Sequence, residues 1–129
     1  MWIAAGDRDD SNREAARDLL SKISAEPAAL DLTVLEVINV MSRANLPDSA
    51  DLTTDELYRV TRGRVLSLSP AEHRSVEELC QKHPLSAYDG AYVIASLARD
   101  LKLVSLDIKD LVEPGWAVTP QQALEALAA

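Results

Sequence analysis

Histidine, cysteine, glycine and phenylalanine are scarce or missing in this chain, and each scarcity removes a class of chemistry. His73 and His83 are the only histidines, so general acid–base catalysis through imidazole is not expected. One cysteine, Cys80, excludes an internal disulfide and a cysteine-based zinc site, and suits a reducing cytoplasm. Cys80 and His83 could share a helix face, but two ligands do not make a zinc site. The glycines Gly6, Gly63, Gly90 and Gly115 stand singly. No phosphate-cradling loop and no Ser-centred nucleophile elbow can be built from them. Phenylalanine is missing, and Trp2, Tyr58, Tyr88, Tyr92 and Trp116 are the whole aromatic complement. They suggest no stacking platform; Tyr88 and Tyr92, one helical turn apart, read as packing residues. No apolar run approaches the ~20 residues of a membrane span. Met1 to Gly6 runs straight into Asp7, Arg8, Asp9 and Asp10, unlike a secretory signal. A cytoplasmic protein without membrane contact is expected.

What is present is an ordinary globular composition, 47% hydrophobic and 26% charged. At 129 residues, the length fits a single domain over 1–129 with a real core. Thirteen Lys and Arg against 21 Asp and Glu give a net charge of -8. That balance argues against nucleic-acid binding by bulk electrostatics, which depends on neutralising phosphates. An enzyme that meets a phosphodiester through a metal ion remains open, because the ion reverses the local charge.

Helix-start signals recur along the chain. Ser11-Asn12-Arg13-Glu14 reads as a capping box before Ala15, Ala16, Leu19, Leu20 and Ile23 at helical spacing, with Pro27 beyond. Thr33 to Glu36 opens a second helix to about Arg43, and Thr53 to Glu56 a third that Gly63 stops. Ser69-Pro70-Ala71-Glu72 opens a fourth, with proline where its missing N–H costs nothing. Ser86 to Asp89 opens a fifth reaching about Leu101, and Thr119 to Gln122 the last. Between them, Val65 to Leu68, Leu103 to Leu106 and Trp116 to Val118 have strand character. Short strands separated by helices predict a three-layer α/β domain, with a short parallel sheet flanked by helices. Functional groups in such sheets gather at the carboxyl ends of strands, where Asp107 stands.

The remaining candidates for chemistry are acids in apolar settings. Glu36 lies among Val34, Leu35, Val37 and Ile38; Asp89 opens the helix of Tyr92, Val93, Ile94 and Leu97; Asp107 closes a strand. Each also has a structural explanation. Glu36 and Asp89 take the third helical position of a capping box. Glu36 aligns with Asn39 and Arg43 as a solvated stripe would, and Asp107 could cap the turn Ile108 to Leu111. The functional alternative is a hard-cation site for Mg²⁺ or Mn²⁺, which take oxygen ligands and assist phosphodiester hydrolysis.

Three segments in order resemble the PIN-domain nucleases, and within them the VapC-like toxins of toxin–antitoxin pairs. They are Asp31-Leu32-Thr33-Val34-Leu35-Glu36-Val37-Ile38-Asn39, Leu85-Ser86-Ala87-Tyr88-Asp89-Gly90-Ala91-Tyr92 and Leu103-Val104-Ser105-Leu106-Asp107. Trp2 to Asp7 and Glu14-Ala15-Ala16-Arg17 are similar to the family's first helical region, so the likeness runs through essentially the whole chain. The resemblance implies a metal-dependent endoribonuclease. Glu36, Asp89 and Asp107 correspond to its second, third and fourth acids, holding Mg²⁺ or Mn²⁺, and Ser105 to a hydroxyl residue two positions before the last. It further implies an RNA substrate, an antitoxin laying a helix or strand across the site, and a homodimer. Arg59, Arg62 and Arg64 would then meet RNA phosphate or an acidic antitoxin segment, or else form a solvated face offset by Asp55 and Glu56.

The resemblance also places a first acid, after an opening strand, ahead of Trp2, where this sequence has no counterpart. Two expectations follow: a start upstream of Met1, or a truncated, noncatalytic relative that serves as a protein-binding module. A small phosphatase-like hydrolase is a weaker alternative, because no aspartyl nucleophile follows an early strand.

Overall fold

In the computed structural model, residues 13–22, 27–43 and 47–128 are described. The described residues fall into two compact units, one up to Leu66 together with the residues from Leu124, the other Ser67–Ala123.

In the first unit, helix α1 (Arg13–Lys22) has Glu14 in its first turn and Lys22 in its last, each favourable to the helix dipole. It buries Ala16, Leu19 and Leu20, the face set by their spacing. Ser11 and Ile23, expected to bound this helix, lie outside the described residues, as does the segment Trp2 to Asp7. Strand β1 (Ala29–Leu30) is buried throughout and leads directly into α2 (Asp31–Arg43). The capping box expected at Thr33 is corrected here. Helix α2 begins two residues earlier at Asp31, whose Oδ1 accepts from the Leu32 N–H at 2.8 Å. Glu36 therefore sits in the helix interior, and the capping explanation for it no longer applies.

Helix α3 (Pro47–Thr61) likewise starts before the expected Thr53, with proline at its first position. It packs against α2, and Val37 of α2 and Leu57 of α3 are among the most deeply buried side chains. Thr61, also buried, satisfies its hydroxyl by donating to the Leu57 carbonyl at 2.8 Å. The helix stops where Arg62 and Gly63 turn to φ 53° and 76°, a conformation that glycine adopts freely. Strand β2 (Val65–Leu66) then pairs parallel with β1, Ala29 opposite Val65 and Leu30 opposite Leu66. The helical crossover between them is what a parallel pair requires. Strand β1 escaped the sequence reading because two residues carry no periodicity.

In the second unit, α4 (Pro70–Lys82) begins at the expected capping box. The Glu72 N–H donates to Ser69 Oγ at 3.2 Å, and the Ser69 N–H donates to Glu72 Oε1 at 3.0 Å. Helix α5 (Ala87–Ala98) is capped by Ser86 as predicted, but ends before Leu101. Asp100 takes φ 51°, and the Leu101 N–H turns back to the Ser96 carbonyl at 2.8 Å. Helices α4 and α5 pack closely. A Cβ on Gly90 would stand 2.9 Å from Cys80 Sγ and 3.2 Å from Val76 Cγ1, so glycine is what permits this approach. Arg99, just past α5, donates to Glu72 Oε2 at 2.6 Å and to the Ser67 carbonyl at 3.1 Å.

The core of this unit is Val93, Leu111 and Ala117, with Leu79, Leu85, Leu103, Val112 and Trp116 packed on it. The strands expected at Leu103 to Leu106 and Trp116 to Val118 contract to one parallel bridge, Val104 with Val118. Two bonds hold it: the Ser105 N–H to the Val118 carbonyl and the Val118 N–H to the Leu103 carbonyl, both 2.9 Å. Helix α6 (Pro120–Ala128) begins at the expected Thr119, whose Oγ1 accepts from the Gln122 N–H at 3.1 Å. Short parallel pairings joined through helices give the α/β class expected from the sequence.

A candidate metal centre of three carboxylates

Two acids separated by 18 positions meet in the second unit because of how their segments begin. Asp89 is the third residue of α5, and its N–H donates to Ser86 Oγ at 3.1 Å, so the cap fixes its backbone. Asp107 follows the Val104–Val118 bridge and caps a single π-helical turn, Ile108–Val112. Its N–H donates to Ser105 Oγ at 3.0 Å, while its Oδ1 accepts from the Asp110 N–H at 3.0 Å. The wide turn closes through the Val112 N–H to the Asp107 carbonyl at 3.0 Å and the Glu113 N–H to the Ile108 carbonyl at 2.7 Å. Buried Leu111 anchors it to the core. The short turn expected at Ile108 to Leu111 is a wide, π-helical one, of the kind frequent at functional sites.

The result is a cluster in which Asp89, Asp107 and Asp110 each offer one carboxylate oxygen, all within 4.8 Å of one another. Asp89 and Asp107 are half-buried and Asp110 is exposed. Ligands at roughly 2.1 Å around a small divalent cation stand about 3 Å apart when adjacent and about 4.2 Å when opposed. The spacing is thus within a small side-chain adjustment of a shared hard cation, and three anionic oxygens are the donor set such a cation takes.

Of the three acids singled out by the sequence, the structure brings Asp89 and Asp107 together, with Asp110, which the sequence reading does not name. The signal for it was Asp107-Ile108-Lys109-Asp110, a three-residue spacing across one turn. Glu36 stands half-buried on α2 in the first unit. Ser105 acts on Asp107 through its backbone, which accounts for a hydroxyl two positions before the acid.

Other residues singled out by the sequence find structural uses. Cys80 Sγ donates to the Ser86 carbonyl at 3.5 Å, and the His83 ring meets Trp116 edge-on at 5.3 Å. Arg59 pairs with Glu56, and its hydrogen bond holds the Glu56 carboxyl below the usual glutamate range. Within the basic cluster, Arg59 is therefore offset locally, as a solvated face would be. Tyr88 departs from expectation. Tyr92 is half-buried, but Tyr88 is 63% exposed and is not a packing residue.

Comparison with known proteins bears on the whole arrangement. The PIN domain family model matches residues 1–113, and the chain belongs to that family, whose members are generally nucleases. A solved structure described as a toxin–antitoxin complex from Klebsiella pneumoniae shares the fold. Its TM-score is 0.65 at 18% identity, over 85% of this chain and 87% of that one. No protein of curated function matches the sequence. No helix among the described residues is long and apolar enough to cross a membrane.

Proposed function

We propose that this protein is a divalent-metal-dependent endoribonuclease and the toxin of a toxin–antitoxin pair, acting in the cytoplasm. The observation that carries the reading is the convergence of Asp89 and Asp107 with Asp110 on a common point, in a chain of the PIN family. That family match runs through both compact units, and we read residues 1–129 as one domain. Asp89, Asp107 and Asp110 would hold Mg²⁺ or Mn²⁺. By the resemblance of its motif, Asp31 to Asn39, Glu36 is in this reading a further functional acid. A cation held there supplies Lewis acidity and an acidified water for attack on a phosphodiester. The side chains of this chain carry the positioning: Ser86 fixes Asp89, and Ser105 fixes Asp107.

An antitoxin partner is supported by the toxin–antitoxin description of the Klebsiella pneumoniae structure. A homodimer and an RNA substrate rest on the family resemblance. The test is cleavage of a mixed RNA population with Mn²⁺ or Mg²⁺ supplied or chelated. Metal-dependent fragments that vanish in Asp107→Asn and Glu36→Gln support the proposal. Cleavage that persists in EDTA, or none under any metal, overturns it; the second result would favour the noncatalytic binding module.

A further inference from the structure

The turn that presents Asp107 and Asp110 cannot hold itself. It is a single π-helical turn of five residues, Ile108–Val112, and an isolated turn fixes several backbone dihedrals in return for few hydrogen bonds. The carbonyls at its carboxyl end also need donors from outside. Leu111 is where both needs are met. Its side chain is buried in the core of the second unit. Its carbonyl accepts twice, from the Trp116 N–H at 2.9 Å and the Ala117 N–H at 3.0 Å. Ala117 is itself buried, and Trp116 packs on the same core with the His83 ring at its edge.

The chain must reverse between Val112 and Trp116 for those two N–H groups to return to Leu111. It does so at Gly115, whose φ is 94° and whose N–H donates to the Val112 carbonyl at 3.0 Å. L side chains rarely adopt that conformation. A Cβ added at Gly115 would meet nothing within 4 Å. Glycine is therefore required here for its backbone and not for room, the reverse of Gly90. We propose that Gly115 is a positioning residue of the metal centre, an inference that rests on the metal-dependent reading above. Its backbone closes a clasp on the Leu111 carbonyl, and the clasp keeps the Asp107 and Asp110 carboxylates within reach of one cation. With an L residue in its place, the strain falls on those two hydrogen bonds, and the carboxylates lose their spacing.

Gly63 provides a matched control for the experiment. It belongs to the first unit, has φ 76°, and likewise has nothing within 4 Å of an added Cβ. Gly63→Ala and Gly115→Ala therefore carry the same kind of strain, and each should lower the melting temperature by roughly 4 °C. Isothermal titration of Mn²⁺ into the whole chain then separates positioning from stability. Gly115→Ala should bind Mn²⁺ roughly tenfold more weakly than the parent, and Gly63→Ala within about twofold of it. Gly115→Asn should recover most of the affinity, because asparagine tolerates positive φ better than alanine. Equal losses in the two alanine variants overturn the proposal, since they would assign the effect to stability alone. So does a Gly115→Asn variant as weak as Gly115→Ala. Should the parent bind Mn²⁺ and Gly115→Ala bind it equally well, the metal centre stands and this inference falls. Should the parent bind no Mn²⁺, both fall together.

Discussion

The carboxylate of Asp107 accepts a hydrogen bond from the backbone N–H of Asp110 at 3.0 Å, so one acid of the cluster builds the turn that presents another. Folding and charge are thereby separable at this position. Asparagine keeps a carbonyl oxygen that can accept the same bond, whereas alanine has none. Asp107→Asn should melt within about 2 °C of the parent. Asp107→Ala should lose about 1 kcal/mol through the missing cap, or roughly 4 °C. Neither should be stabilised by Mn²⁺ to the extent the parent is. Differential scanning calorimetry with and without the metal reads both effects.

Ser105 offers a second separation. Its Oγ accepts from the Asp107 N–H, so it orients a proposed ligand without being one. Ser105→Ala should weaken Mn²⁺ binding by roughly tenfold, the scale of supporting interactions around metal sites. Ser105→Thr, which keeps the hydroxyl, should restore most of it. Equal affinity in parent and Ala variants would remove the positioning role.

Legibility in the sequence followed the range of the physical signal. The caps at Ser69, Ser86 and Thr119 were readable because a capping box is a local contract between residues three apart. The sequence points to helix starts at Thr33 and Thr53, which imitate caps inside helices that begin at Asp31 and Pro47. Strands were the least legible: two-residue pairings and a single bridge are set by neighbours far along the chain. Asp89 and Asp107 stand out in the sequence through their motifs. Asp110 does not, because its value depends on a wide turn that spacing alone does not reveal.

Close packing at Gly90 makes a signed prediction. Alanine gains about 1 kcal/mol of helix propensity over glycine, but overpacking costs about 1–3 kcal/mol. With Cys80 Sγ only 2.9 Å from the added Cβ, Gly90→Ala should be destabilised by about 1 kcal/mol net. Pairing it with Cys80→Ala should relieve the clash with Sγ. Urea denaturation of both single variants and the double variant should show coupling between the two positions. Simple additivity would refute the packing argument.

Glu72 links stability to pH. The Ser69 N–H, and then the Arg99 guanidinium, hold its carboxyl below the ordinary glutamate value. A carboxyl depressed in the folded state stabilises the protein above its unfolded pKa. That contribution is lost as the pH falls through the folded value. Melting temperatures of the parent and Glu72→Gln, taken from about pH 7 down to about pH 3, should differ most at the neutral end. The two should converge in acid. A gap that stays constant across the range would mean that Glu72 acts through packing rather than charge.

Whether Asp89, Asp107 and Asp110 share one divalent cation is decided by isothermal titration of Mn²⁺ into the intact chain. One site per chain is expected, weakened at least tenfold in each of Asp89→Asn, Asp107→Asn and Asp110→Asn, with all three variants folded. Titrations of the three folded variants that match the parent's would contradict a shared cation.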